Sequence, residues 1–363
     1  MEKQVVHDIY YKHGNQEDDE TFVGCLVACG SHVLRLVLNT SIQLDLFEII
    51  DKSDDGAHIS TSEIASQLQT RNVEGAARVL DSMLRVLVTH SFLTFSTSTD
   101  HGSTTELRYG IAPKGKFLVP NERGVSLAKF YALTAEQERS YPFIALKDAV
   151  LEGGNLFENA ENHYEDIGSN PDSKKIFHDA LGSLSTLSLQ QIVTVYNGFE
   201  GLRTLVDVGG GNGATLGIII SKYSSIRGIN FDSPEVIRTA PTYEGVEHIS
   251  GDMFVQVPKG DAIILKAVLH NWGSKKCVKL LKNCYEALPK KGKVIVLEHI
   301  LHEIPGTDVY SQQGSLWNIV MLSMNGKERT KGEYEALAME AGFAEFKVLC
   351  RAYGVYVMEL VKF

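Results

Sequence analysis

Two periods of apolar spacing divide this chain. From Thr21 to about Phe92 the apolar residues recur at helical steps. The run "TFVGCLVACGSHVLRLVLNTSIQLDLFEII" is apolar on more than one face, more than a single surface helix of a monomer carries. It predicts a helix that is central to its domain or packed on another chain. In "HISTSEIASQLQT", Ser60 and Glu63 have capping-box spacing and open a short helix. "VEGAARVLDSMLRVLVTHSFL" predicts a longer one. "FLTFSTSTDHGSTTELRYGIA" then reads as a hairpin, two β-prone runs around a polar tip. Helix, helix and hairpin outline a winged helix.

From about Val125 to Gly198 the pattern predicts helices with polar connections. At Leu202 the period changes. "TLVDV", "IRGINFD", "VEHISGD", "GDAIILK" and "GKVIVLEHI" read as strands, separated by helical patterns such as "SPEVIRTA" and "KKCVKLLKNCYEAL". That alternation predicts a parallel sheet covered on both faces. "EFKVLCRAYGVYVMELVKF" offers two more strands with only a short connection, which requires an antiparallel pair at a sheet edge. The predicted fold class is α/β, with a mainly helical winged-helix domain in front. Three parts are expected: residues 1–120, a helical connector 121–198, and the sheet domain 199–363.

Composition narrows the function. With 44% hydrophobic and 22% charged residues in 363, the chain reads as an ordinary globular protein. Its net charge of −10 argues against nucleic-acid binding and against docking on an anionic membrane. The second winged-helix helix carries Arg78 and Arg85 with Asp81 between them, so that fold is read as a packing and dimerisation device. The 5 cysteines are scattered, and no Cys/His cluster has zinc spacing. No His/Asp/Glu cluster at ligand spacing is visible either, so no metal is expected. The polar, acidic start lacks a signal-peptide core, and no apolar run reaches the about 20 residues of a membrane helix. A cytoplasmic location is expected.

The chemistry concentrates in "LVDVGGGNGATLG", Leu205 to Gly217. Gly209, Gly211 and Ala214 match the dinucleotide pattern G-x-G-x-x-A, and Asp232 lies about 20 residues on, where a ribose-binding acid belongs. A nicotinamide enzyme is therefore a competitor. Asp207 argues against it, because a carboxylate at the strand end opposes a pyrophosphate at the following helix N-terminus. A cofactor without phosphate and with a cationic amino-acid end suits it better, and S-adenosylmethionine is such a molecule. Asp252 and Met253 in "SGDMF" end the third strand, on the same ligand side of the sheet.

With these residues in place, the chain resembles the plant small-molecule O-methyltransferases of the caffeic acid and flavonoid type. The likeness runs from the N-terminal helices to the final strand. It is densest in "LVDVGGGNGATLGIIISKY", "GINFDSPEVI", "GVEHISGDMF", "VPKGDAIILK", "LHNW", "LLKNCYEALP", "GKVIVLE" and "GKERT". The resemblance implies a homodimer with interlocking N-terminal domains and metal-independent methyl transfer. It places Gly209, Asp232, Asp252, Met253 and Lys266 on cofactor positions, with Ser185 near the methionine carboxylate. It also implies His270 as general base, flanked by Glu298 and Glu328.

Several departures bear on the acceptor. Asn271 stands where the family commonly has an acid, Asn318 replaces another, and Leu184 a frequent histidine. "LTAEQERSYPF" differs from the usual pocket wall, and "SMNGKERT" is about two residues short, which leaves the position of Glu328 open. The expected reaction is methyl transfer from S-adenosylmethionine to a phenolic hydroxyl of a small aromatic plant metabolite. The alternatives are N-methylation of an aromatic amine and a non-catalytic binding or scaffold protein.

Overall fold

The computed structural model describes residues 16–53, 58–99, 105–131, 171–323 and 326–363, with isolated positions between 133 and 151. Packing divides the chain into two units, Met1–Ala132 and Leu133–Phe363. The pocket-wall segment "LTAEQERSYPF" lies almost wholly outside the described residues.

In the first unit the long apolar run divides into three helices: α1 (Gln16–Cys29), α2 (Ser31–Gln43) and α3 (Leu46–Asp51). The axis bends by 48° between α1 and α2, at Gly30. Asp45, at a left-handed φ of 51°, separates α2 from α3. The division explains why the run is apolar on several faces. Leu38, Leu46, Phe47 and Ile50 enter the unit's own core, whereas Phe22, Leu26, Val27 and Leu36 stand 55–64% exposed. No single described helix is long and apolar enough to cross a membrane.

Strand β1 (Ile59–Ser60) leads into α4 (Thr61–Gln67), which the predicted capping box opens: Ser60 Oγ accepts from Glu63 N–H, and Glu63 accepts from Ser60 N–H. α5 (Val73–Thr89) buries Ala77, Leu80, Leu84 and Leu87 along one face. β2 (Leu93–Thr99) and β3 (Thr105–Ile111) form the predicted hairpin, and β1 joins as the third strand in the order β1-β3-β2. On α5, Arg78 pairs with Glu74 and Arg85 with Asp81, one turn away in each case. These cations are thus matched within their own helix.

The second unit holds a seven-stranded sheet in the order β6-β5-β4-β7-β8-β10-β9. Its parallel strands are β4 (Thr204–Val208), β5 (Arg227–Asp232), β6 (Val246–Ser250), β7 (Ala262–Lys266) and β8 (Lys293–Glu298). Their near-continuous apolar runs serve two cores. Val206, Val208, Ile263, Leu265, Val294 and Val296 face α10 (Ser274–Ala287) and α12 (Lys331–Glu340). Leu205, Ile264, Ile295 and Leu297 join the residues of α7 (Pro171–Val195) and α8 (Ala214–Lys222) on the other side. Burial on both faces is what removes a simple alternation from such strands.

The strands β9 (Glu345–Ala352) and β10 (Val355–Val361) are antiparallel, joined through Tyr353 and Gly354 at φ 49° and 82°. β10 pairs with β8, so the last strand is interior and the one before it forms the edge. The order reverses beside β4, whose neighbours are β5 and β7. In open α/β sheets that switch point, at the carboxyl ends of the strands, is where ligands bind.

Candidate active site

The turn after β4 is built for close approach. Gly209, Gly211 and Gly213 have φ of 70°, 59° and 85°, a region L side chains rarely adopt. A Cβ on Gly209 would lie 2.9 Å from Val268 Cγ2. Gly211 N–H donates to Asp232 Oδ2 at 2.8 Å, and Ser233 N–H to Asp232 Oδ1 at 2.7 Å. Asp232 therefore ties the glycine turn to the end of β5, with its remaining lone pairs still open to a ligand.

Asp207 is buried, and among the described residues neither of its carboxylate oxygens has a hydrogen-bond partner. Burial pushes its carboxyl up to about 7, against the pull of Lys266 and with the help of Asp232. At the end of β7, Lys266 Nζ donates to Ser185 Oγ of α7 at 2.8 Å. Burial lowers its ammonium pKa, while Asp207 and Glu298 act in the opposite sense. Asp252 lies just past β6, exposed, and accepts from Phe254 N–H at 2.8 Å. Met253 is half-buried against the sheet core. An orphaned buried carboxylate beside a side-chain-free turn suits a cationic amino-acid group.

His270 sits on a single 3-10 turn, Leu269–Asn271, directly after β7. The chain enters that turn through Ala267 at φ 54°. Glu298, buried at the end of β8, accepts from Val268 N–H at 2.9 Å and from Leu269 N–H at 2.8 Å through Oε1. Its Oε2 lies 3.4 Å from His270 Nδ1. Glu328 Oε1 lies 3.1 Å from the same nitrogen. Two carboxylates on Nδ1 favour the tautomer that carries its proton there. Among the described residues Nε2 has no hydrogen-bond partner. Burial alone would lower the imidazole pKa, but Glu298 and Glu328 outweigh it and the net shift is upward.

The shortened loop does not displace Glu328. Its N–H donates to Asn318 Oδ1 at 3.1 Å, and Ile300 pairs with Arg329 in a short parallel bridge. Asn318 therefore anchors the loop as a neutral acceptor. Asn271 donates through Nδ2 to Ala267 C=O at 3.0 Å.

Sequence reasoning missed Arg329. It is 1% exposed, and its guanidinium donates to the carbonyls of Leu269, at 2.7 Å, and Trp272. Lys327 N–H donates to His270 C=O at 2.9 Å. The turn is thus held at both ends, by a carboxylate on its N–H groups and a guanidinium on its carbonyls. An arginine in "KERT" carries no local signal of burial.

Spacing along the chain shows no His/Asp/Glu cluster, but the fold brings ligand atoms of His270, Glu298 and Glu328 within 4.8 Å of one another. Parallel strand ends bring together residues about thirty positions apart, which spacing rules for single helices and loops do not register.

Comparison with known proteins identifies the family. The model of the O-methyltransferase domain matches residues 143–344, and that of the O-methyltransferase dimerisation domain residues 27–121. The chain belongs to the O-methyltransferase family. As a member it is an S-adenosylmethionine-dependent enzyme of the caffeic acid type. Caffeic acid 3-O-methyltransferase 2 of Ocimum basilicum is 44% identical over 96% of this chain and 97% of that protein. O-methyltransferase 13 of Lophophora williamsii is 47% identical over 95% and 96%. Human N-acetylserotonin methyltransferase, solved with its SAM, shares the fold at a TM-score of 0.74 and 23% identity, covering 96% of this chain and 99% of that one.

Proposed function

We propose that this O-methyltransferase moves the methyl group of S-adenosylmethionine to a phenolic hydroxyl of a small aromatic plant metabolite, with His270 as general base. The observation that carries the reading is the pair of buried carboxylates on His270 Nδ1, which leaves Nε2 to take a proton. The caffeic acid methyltransferases among its relatives support a phenylpropanoid-like acceptor.

When bound, S-adenosylmethionine supplies an electrophilic methyl group on a sulfonium. Asp207, Gly209, Asp232, Asp252, Met253, Lys266 and Ser185 are the residues that hold it. Asp207 matches the ammonium, Asp232 the ribose diol, and the Lys266–Ser185 pair the carboxylate. A phenol titrates near 10 and an ordinary imidazole near 6.5, so full deprotonation before attack is uphill by about 5 kcal/mol. Nε2 would therefore accept the phenolic proton as the phenolic oxygen attacks the methyl carbon, for which a bound donor would supply the sulfonium leaving group. Glu298 and Glu328 stabilise the imidazolium as it forms. Nothing in this scheme requires a metal ion, because deprotonation falls to the imidazole. The acceptor pocket draws on the connector 121–198, and the enzyme works as a cytoplasmic homodimer through its dimerisation domain.

The test is methyl transfer from radiolabelled donor to phenolics, coumarins, indoles and alkaloids, with and without EDTA. Phenolics should be methylated and EDTA should change nothing. His270→Gln should lower kcat by ~10²–10⁴ with affinity for S-adenosylhomocysteine retained. Near-normal turnover by that variant on a phenol at pH 7 would remove the general-base assignment.

A further inference from the structure

We propose that His248 and Asn230 form a brace that sets the shape of the glycine turn, and through it the affinity for the methyl donor. Neither residue belongs to the contact set proposed above. Both are polar residues in strand positions that otherwise feed the sheet core. They are direct neighbours in the parallel pairing of β5 with β6.

Asn230 is wholly buried. Its amide nitrogen donates twice, to Gly211 C=O at 2.9 Å and to His248 Nδ1 at 3.1 Å. The opposite ring nitrogen, Nε2, lies 2.9 Å from Pro241 C=O. This pattern admits one protonation state. Nδ1 accepts, so Nε2 carries the hydrogen and donates to the Pro241 carbonyl, and the ring is neutral. Reversing the Asn230 amide would set its oxygen against the Gly211 carbonyl, acceptor against acceptor. The Gly211 carbonyl thus sets the amide's orientation, and the ring nitrogen that accepts from the amide holds it against the glycine.

The consequence reaches the turn from two sides. The N–H of Gly211 is held by Asp232 and its C=O by Asn230, so that residue's polar groups are gripped at both ends. The ring of His248 also fills the space beneath Gly213, where a Cβ would lie 2.9 Å from Cε1. Gly213 precedes α8, so the brace also locates that helix end. His248 and Asn230 are positioning residues: they act on the donor only through the backbone they hold. The inference rests on the assignment of the glycine turn to S-adenosylmethionine.

Two measurements test it, neither of which needs turnover. The first is calorimetry of S-adenosylhomocysteine binding to wild type, Asp232→Ala, His248→Leu and His248→Asn. Leucine fills the space but cannot accept from Asn230, and should weaken binding by about tenfold, the loss of one buried hydrogen bond. Asparagine can place its oxygen where Nδ1 was, and should restore most of that affinity. If wild type fails to bind, or Asp232→Ala binds as well as wild type, the donor assignment itself is wrong. If Asp232→Ala loses affinity while His248→Leu matches wild type, the brace is wrong and the donor assignment stands. The second measurement covers the case of a leucine variant that does not fold. Nitrogen-15 NMR of the wild-type histidines at pH 8, with His248 assigned by its absence in His248→Asn, should show a neutral ring protonated on Nε2. A ring protonated on Nδ1, or on both nitrogens, would overturn the proposal.

Discussion

At the residue scale, His270 and Asp207 both act in the deprotonated form, and each has a raised pKa for its own reason. His270 acts as a base only when neutral. Its pKa lies above the ordinary value, despite burial, because Glu298 and Glu328 face Nδ1. Turnover should therefore fall as pH drops through that raised value. Glu328→Gln removes one of the two charges, lowers the imidazole pKa, and should move the acid limb of the kcat profile to lower pH, with a smaller maximal rate. An unmoved limb would assign the titration to another group. For Asp207 burial is itself the cause. Its carboxyl is pushed up to about 7 by burial, so it is half-protonated near neutrality before a ligand arrives. An ammonium group favours the ionised form. Binding of S-adenosylhomocysteine below that pH should then release a proton and strengthen from pH 6 to pH 8. Calorimetry in buffers of different ionisation enthalpy should detect the proton in wild type and lose it in Asp207→Asn.

At the scale of elements, the 3-10 turn after β7 is the part most dependent on tertiary support. Three residues form no stable helix alone, and Ala267 enters them at φ 54°, which costs an L-residue about 1–2 kcal/mol. Glu298 and Arg329 hold the two ends. Arg329→Met should destabilise the protein by about 2–4 kcal/mol, because two inward carbonyls lose their charged donor. Trp272 N–H, 3.1 Å from the Leu269 carbonyl, and the weak Cys277 thiol, 3.3 Å from each carbonyl, would remain. Urea unfolding of the variant measures this directly, and a loss under 1 kcal/mol would mean the turn is held elsewhere. The capping box of α4 and the hairpin β2–β3 were legible beforehand, since each depends on residues within a few positions. The clamp on the turn was not, because Arg329 and Leu269 lie 60 positions apart and meet only in the folded chain.

At the scale of the whole molecule, the exposed apolar residues of α1 and α2 are the surface expected to carry assembly. Phe22, Leu26, Val27 and Leu36 stand mostly in the open, in the unit that matches the dimerisation-domain model over residues 27–121. A surface of this kind is costly on a free monomer and normal at an interface. Light scattering should give about 80 kDa, twice the 40.0 kDa chain. The pair Phe22→Asp and Leu26→Lys touches no core residue of the unit, so it should release folded monomer rather than unfold the protein. A dimer undisturbed by both substitutions would place the interface elsewhere.

By itself, the sequence determined whatever depends on near neighbours. Apolar runs at strand length with helical patterns between them specified a parallel sheet, because burying both faces leaves few alternatives. A short link between the last two strands forced an antiparallel pair. Asp207 and Asp232 could be placed at strand ends, since strand boundaries are themselves marked by composition. What tertiary structure decided were the meetings between distant segments. It inserted β10 between β8 and β9, broke the first apolar run at Gly30 and Asp45, and kept Glu328 beside His270 by anchoring a shortened loop on Asn318. It drew His270, Glu298 and Glu328 into one cluster and buried Arg329 and Asn230 behind the two turns. The physical reason is common to all of these. Periodicity reports which face of an element is buried, while the distance between two elements depends on sheet register and loop path, and neither leaves a local mark.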